Sequence, residues 1–480
     1  MRQLTGSDHL WFALETENAP LHFVGAAVYD PSTRAAGPID LEDLKATVAA
    51  ELPKLPLRQR LLQTPWSVDL PYWVDAEDFD LGDHVRELVL EAPGNRQAFL
   101  AAITDLLEAP FDMSKPLWEM NLIRDLDSVE GFPQGSFAVV VRVHHGQFDG
   151  TTALKLMNSL HTDHAGTADA TEMAWKPERT PSPTELLARA PWNLLERGFR
   201  ATGAIGRLAT ALARRSRRAD GAEDTATDSP PTERPPVPRT RFSKRLASPH
   251  RVFEFLHLPL EEVKGIRSTV EGSTVNDVAA SITGGALRKY LQSLDELPEA
   301  PLVAMMPVSA HDPENTGELG NRISLMASRV HTEIDDPVER LRLVRRASAR
   351  SKRTTREVGA GRISDVLDVI PTNALGLIME PLADSGLLES LPMPFSGIAV
   401  TNVPGPPEPL YFDGARMVTL LGATFLYDFV GLIVAITSYC DDLLIAFTSS
   451  PDMVPDPGAL ADCFLQAWEE LRDAAASHSS

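Results

Sequence analysis

Two α/β halves joined by an irregular segment are what this sequence predicts, and three observations carry the prediction. β-Branched runs alternate with amphipathic helical stretches on both sides of the middle of the chain. The stretch from Ala219 to Arg239 is rich in Ser, Thr, Asp, Glu and Pro, with five prolines in its second half. A chain of 480 residues also exceeds what one hydrophobic core serves. The expected division is a first domain at 1–185, a basic amphipathic segment with a flexible linker at 186–245, and a second domain at 246–480.

The elements follow in order. HFVGAAVYD (22–30) and SFAVVVRVHH (136–145) have the β-branched density of strands. DLEDLKATVAAEL (40–52) and RQAFLAAITDLLEAPF (96–111) space their apolar residues as helices do. In the second half, RVFEFLHLPL (251–260), PLVAMMPVS (301–309) and GLIVAITSYCDDLLIAFTSS (431–450) read as strands. NDVAASITGGALRKYLQSL (276–294) and DPGALADCFLQAWEELRDAA (456–475) read as helices. The weakly charged run Val418–Tyr439 is broken by Asp428 and two glycines, which favours core strands over a membrane span.

Composition excludes several functions. A formal net charge of −22 argues against general nucleic-acid binding, which needs clustered Lys and Arg to neutralise phosphates. Cys440 and Cys463 are the only cysteines, so neither a disulfide framework nor a CxxC site is expected, and a reducing cytoplasmic compartment is. The N-terminus lacks a basic-then-apolar signal, so no secretion is expected.

The adjacent histidines in VRVHHGQFDG (141–150) pose the functional question. Successive strand side chains point to opposite faces, so His144 would share a face with Ala138, Val140 and Arg142, and His145 with Val139, Val141 and Val143. Diverging imidazoles chelate one metal poorly, and HExxH spacing is missing, so no metal site is expected. His145, at the strand's C-terminal end, is placed to accept a proton at neutral pH. The plainer alternatives are two satisfied structural histidines, Asp149 as a helix N-cap and Gly150 as a turn glycine. No GxSxG elbow and no phosphate-binding glycine loop is present, which favours a base acting without a covalent nucleophile.

HHGQFDG matches HHxxxDG, the signature of the CoA-dependent acyltransferase superfamily. Further blocks sharpen the resemblance towards the bacterial wax ester synthase/diacylglycerol acyltransferase family. They are TGSDHLWFALETENAPLHFVGAAVYD with His22, PLWEMNLI with Trp118, TVNDVAAS with Asn276 and Asp277, MPVS, Gly320–Asn321, and TNVPGP with Asn402. The resemblance spans about residues 5–473, leaving the linker outside. Gly146 stands where alanine is common, Thr401 replaces serine, His311 stands where arginine is usual, and Asp441 where glycine is frequent.

The resemblance implies two chloramphenicol-acetyltransferase-like α/β domains with the active-site tunnel at their interface. It implies acyl-CoA as substrate rather than any cofactor, and diacylglycerol or a long-chain alcohol as acceptor. His145 would be the general base, with His144 and Gly150 shaping the turn. Asp149 would pair with an arginine, for which Arg58 and Arg60 are candidates. Asn276 and Asp277 would line the site, Trp118 would be core or tunnel wall, and Asn402 would lie in a stiff turn closing the domain interface. Two rivals remain: a condensation-type enzyme using a carrier-bound donor, and a non-catalytic lipid-binding relative. Trp192, Leu195, Phe199, Ile205, Leu208 and Leu212, interleaved with seven arginines from Arg197 to Arg218, suggest either a connecting helix or peripheral contact with anionic membranes or lipid inclusions.

Overall fold

The two central runs of the first half pair with each other. β2 (His22–Asp30) and β7 (Phe137–His144) are antiparallel, with His22 opposite His144 and Tyr29 opposite Phe137. β6 (Trp118–Ile123) flanks β7, and β5 (Val85–Glu87) continues the sheet in parallel with β6. A computed structural model describes residues 1–148, 156–163, 176–199, 237–309, 323–358 and 396–478, with the side chains of 308–309, 323–325 and 354–358 left aside.

The other edge of this sheet corrects the expected division at residue 245. β12 (Tyr411–Phe412) and β13 (Ala415–Ala423) belong by chain order to the second half, yet they complete the first sheet, with order β12-β13-β2-β7-β6-β5. Arg416 pairs with Asp30 and Ala423 with Val24. Chain order cannot reveal such a crossover, because backbone pairing is indifferent to sequence separation. The second sheet has the order β10 (Ile323–Arg329), β9 (Val303–Ser309), β11 (Ile398–Pro404), β14 (Leu432–Tyr439), β15 (Asp442–Ser449) and β8 (Val252–Pro259). A small third sheet joins β1 (Arg2–Gln3), β4 (Tyr72–Asp75) and β3 (Gln59–Leu62).

Capping residues fix where the helices begin. α1 (Gly6–Leu14) starts at Thr5, whose hydroxyl accepts from the Asp8 amide. α2 (Leu41–Glu51) opens with a capping box between Asp40 and Asp43. α3 (Arg96–Glu108) is capped by Asn95. α4 occupies 183–199. α5 (Leu260–Arg267), α6 (Val275–Ser293), α7 (Pro337–Val358) and α8 (Pro457–His478) cover the second sheet, and α6, α7 and α8 pack on one another. Among the described residues no helix is long and apolar enough to cross a membrane. The Val418–Tyr439 run divides between β13 and β14.

The alternation read in β7 separates two cores. Phe137, Val139 and Val143 pack with Leu44 and Val48 of α2 and with Trp118. Ala138 and Val140 face the other way, with Phe99 and Ile103 of α3. That second core also takes in Phe253 and Phe255 of β8 and Leu444 and Ala446 of β15, so it is shared between the two sheets. Arg96 reinforces the junction: its guanidinium lies 3.9 Å from the Phe255 ring centroid and pairs with Glu254.

The expected stiff turn at TNVPGP is a strand over its first four residues. Thr401 to Pro404 run parallel to Ala435–Ser438 in β11, which places Asn402 in a strand and exposed. Among the described residues β9 pairs with β11 only at Ile398 and Ala399, so Pro404, which has no amide to donate, lies beyond that pairing. The bend follows at Pro407 and Glu408, after Gly405, whose backbone passes so close to the Ser438 carbonyl that a Cβ there would overlap it.

Candidate active site

β7 ends at His144, and the chain turns at once. The Gln147 and Phe148 amides both donate to the His144 carbonyl, at 3.0 and 3.1 Å. Backbone bonds hold the turn from two sides: the His144 amide donates to the Leu117 carbonyl, and the His145 amide to that of Leu21. Gln147 adds a third tie. Its carbonyl oxygen accepts from the Leu117 amide at 2.8 Å, and its amide nitrogen donates to the Pro56 and Gln59 carbonyls.

The two imidazoles diverge, as alternation requires, and each is met by an aromatic ring from α1. His144, fully buried, stacks on Phe12 with centroids 4.4 Å apart and planes 11° from parallel. His145, half-buried, stacks on Trp11 at 4.1 Å and 9°. Phe425 meets the His145 ring edge-on at 5.1 Å. Phe425 lies where the chain leaves β13 for β14, so the His145 imidazole stands where the first sheet gives way to the second. Tyr427 carries the contact onward, near Phe425 and with its hydroxyl 3.6 Å from the Met305 sulfur.

Beneath the turn lies a buried polar cluster. Glu15, the C-cap of α1, places Oε2 3.3 Å from His144 Nε2 and Oε1 3.4 Å from His22 Nε2. Burial works to raise the Glu15 carboxyl and is outweighed by hydrogen bonds from His144 and His22, which bring it to about 2. Burial lowers His22 to about 4, so its ring is neutral at physiological pH. Arg142, on the same face of β7, donates to the Ala109 carbonyl and covers the Phe111 ring.

The other expected site residues fall in several places. Trp118 is core: it is fully buried, and its Nε1 donates to the Leu57 carbonyl at 2.6 Å. Asn276 is the second residue of α6 and half-buried; the cap there is Thr274. Asp277 is buried and bonded within its own helix end and to the next helix. Its carboxylate closes the capping box, accepting from the Thr274 amide and hydroxyl, and its other oxygen takes the Ser348 hydroxyl of α7. Those bonds clamp two helices together, because a third-position acid in a helix naturally reaches back to its cap. Asp149, Gly150, His311, Gly320 and Asn321 lie outside the described residues. Arg58 packs its guanidinium 5.9 Å from the Phe79 ring centroid, and Arg60 lies in β3.

Glu15, Trp11, Phe12, Gln147 and Phe425 were not singled out from sequence. The first three sit in the N-terminal block that resembles the family, where the signal was present but dispersed among many apolar residues. Phe425 reaches the site only through the strand crossover.

The profile of the wax ester synthase/diacylglycerol acyltransferase catalytic domain matches residues 4–279, and that of the family's C-terminal domain matches residues 319–472. A Mycobacterium tuberculosis (CDC 1551) protein, provisionally named a diacylglycerol O-acyltransferase, is 29% identical over 98% of this chain and 90% of its own length. Another from the same strain, named in the same way, is 30% identical over 91% of this chain and 92% of its own. The wax ester synthase/diacylglycerol acyltransferase structure from Marinobacter aquaeolei VT8 superposes with a TM-score of 0.66 at 23% identity, covering 99% of this chain and all of that one. The first condensation domain of the calcium-dependent antibiotic synthetase shares the fold at TM-score 0.59 and 15% identity, covering 100% and 97%. The chain therefore belongs to the wax ester synthase/diacylglycerol acyltransferase family and is an ester-forming acyltransferase.

Proposed function

We propose that His145 is the general base for transfer of a long-chain acyl group from acyl-CoA to the hydroxyl of diacylglycerol or of a long-chain alcohol. The observation that carries this reading is the His145 imidazole itself. It is half-buried, held flat against Trp11 and edged by Phe425 at the junction of the two sheets. An imidazole so placed takes the acceptor's hydroxyl proton as the oxygen attacks the thioester carbonyl. The tetrahedral intermediate collapses to the ester, and the departing thiolate of CoA receives the proton from the imidazolium. Holding both substrates together supplies the proximity term without an acyl-enzyme.

Replacing His145 by Ala should lower kcat for palmitoyl-CoA and a panel of labelled acceptors by about 10²–10⁴, while the thermal midpoint stays near that of the unaltered protein. Turnover retained by His145→Ala would refute the assignment, as would His144→Ala proving the more damaging change.

The same reading includes peripheral membrane contact. Leu186, Ala190, Asn193 and Arg197 lie on one side of α4. Leu186 is buried, and Asn193 and Arg197 bond to Asp69. At 100° per residue, Trp192, Leu195 and Phe199 fall on the opposite side, and they are 72%, 59% and 78% exposed. Ile205, Leu208, Leu212 and the arginines from Arg200 to Arg218 lie outside the described residues. An outward apolar stripe leading into an arginine-rich sequence supports interfacial binding to anionic lipid over a purely connecting role.

A further inference from the structure

Glu15, His22 and His144 have the composition of a metal centre: one carboxylate and two imidazoles, with ligand atoms within 4.8 Å of one another. The bonds on the far sides of the rings exclude that use. His144 Nδ1 accepts from the Gly146 amide at 3.0 Å, so the neutral ring carries its proton on Nε2. His22 Nδ1 lies 3.4 Å from Nη2 of Arg142, a group that can only donate, which puts that proton on Nε2 as well. A metal ligand needs a bare lone pair on Nε2. Here His144 Nε2–H donates to the Glu15 carboxylate, and His22 Nε2 faces the other oxygen of the same group at 3.4 Å.

We propose that Glu15 is a positioning residue for acyl transfer: by accepting Nε2–H of His144 it fixes that ring's tautomer, leaving Nδ1 to hold the Gly146 amide and set the turn from which His145 projects. The inference rests on His145 being the base. Without the carboxylate, the His144 proton is free to move to Nδ1, where it would confront the Gly146 N–H donor to donor. The turn would then lose the side-chain bond next to His145, although its backbone bonds to Leu21 and Leu117 would remain. Both oxygens of Glu15 are engaged: Oε2 accepts from the His144 ring, and Oε1 accepts from the Leu21 amide at 3.3 Å with His22 Nε2 facing it at 3.4 Å. Glutamine cannot replace it. Its single carbonyl serves one ring and turns an NH2 group on the other.

The test is a double-mutant cycle in kcat and KM, using palmitoyl-CoA and 1-dodecanol with the full-length protein. Glu15→Gln should lower kcat by about tenfold or more with KM changed little, since small misplacement of a catalytic group costs rate rather than affinity. His144→Asn supplies an oxygen close to the position of Nδ1 that accepts from Gly146 whatever its surroundings. In that background Glu15→Gln should therefore have no further effect on kcat. Multiplicative losses in the double variant would overturn the proposal, as would wild-type kcat in Glu15→Gln. Stoichiometric zinc in the purified protein, lost in Glu15→Gln, would overturn it in favour of a metal site. If Glu15→Gln does not fold, Glu15→Asp, whose oxygens sit one methylene further back, carries the same expectation and the same refutation. An inactive His145→Ala beside an unaffected Glu15→Gln would sink this proposal alone, whereas an active His145→Ala would sink the base assignment beneath it.

Discussion

The Phe12 ring occupies the space that a side chain at position 146 would need. A Cβ built on Gly146 would overlap three atoms of that ring, the same ring that stacks on His144. The glycine at 146 is thus matched by a bulky neighbour on α1.

Gly146→Ala should consequently destabilise the protein by about 1–3 kcal/mol, the usual range for overpacking, and lower kcat with it. Adding Phe12→Ala should restore part of the midpoint, because the cause of the clash is removed. Thermal unfolding of the two single variants and the double variant checks this. A double variant no more stable than Gly146→Ala alone would mean that the ring is not what excludes the methyl group.

Asp277 and Ser348 should behave as structure rather than chemistry. Ser348→Ala removes one hydrogen bond to a buried carboxylate, and a loss of about 1–3 kcal/mol in denaturant unfolding is expected. The kcat of the folded fraction should stay within about twofold of the unaltered enzyme, a change too small to mark a lost transition-state contact. A large kcat loss with unchanged stability would return Asp277 to the site.

Acid should loosen the cluster under the turn in two stages. An unfolded His22 takes its proton near 6.5 and the folded one only near 4, so between those values only the unfolded chain gains a proton and stability falls as pH drops. Glu15 acts in the same direction lower down, between its unfolded value of 4.5 and about 2. Midpoints measured from pH 7 to pH 4 should decline less steeply in His22→Phe than in the unaltered protein. Parallel slopes would show that His22 does not carry the effect.

Membrane contact should depend on the outward side of α4. Trp192→Ser with Leu195→Ser should reduce co-sedimentation with vesicles containing phosphatidylglycerol, and so should Gln at Arg214, Arg215, Arg217 and Arg218. The arginine changes should matter less as salt rises, since headgroup attraction is screened. Activity on a short, soluble alcohol should persist in both. Equal co-sedimentation of variants and wild type would leave α4 as a connector.

Much of this was legible because local physics fixed it. The alternation in β2 and β7 predicts which residues face which core, and the strands lie where their β-branched runs lie. The divergence of His144 and His145 follows from the two-residue strand period alone. What could not be read was set at a distance. Asn402 looks like part of a turn because its neighbours are Pro and Gly, but parallel pairing with β14 overrides that preference. Asp277 belongs to a family block, yet its bonds go to its own cap and to Ser348. Glu15 is one acid among 67 acidic residues, and nothing in its neighbours announces that two imidazoles will converge on it.

The strand that crosses from the second half also has a consequence for how the molecule is made. β2 cannot acquire its partner β13 until the ribosome has passed residue 423, so the first sheet emerges with a bare edge along Val24–Asp30. Pairings of such long sequence separation close slowly, and an unpaired edge invites the wrong partner while it waits. The first 240 residues synthesised alone should therefore stay aggregation-prone, and should become soluble when 237–480 is supplied in trans. The two halves cannot become independent proteins without another strand to cover that edge.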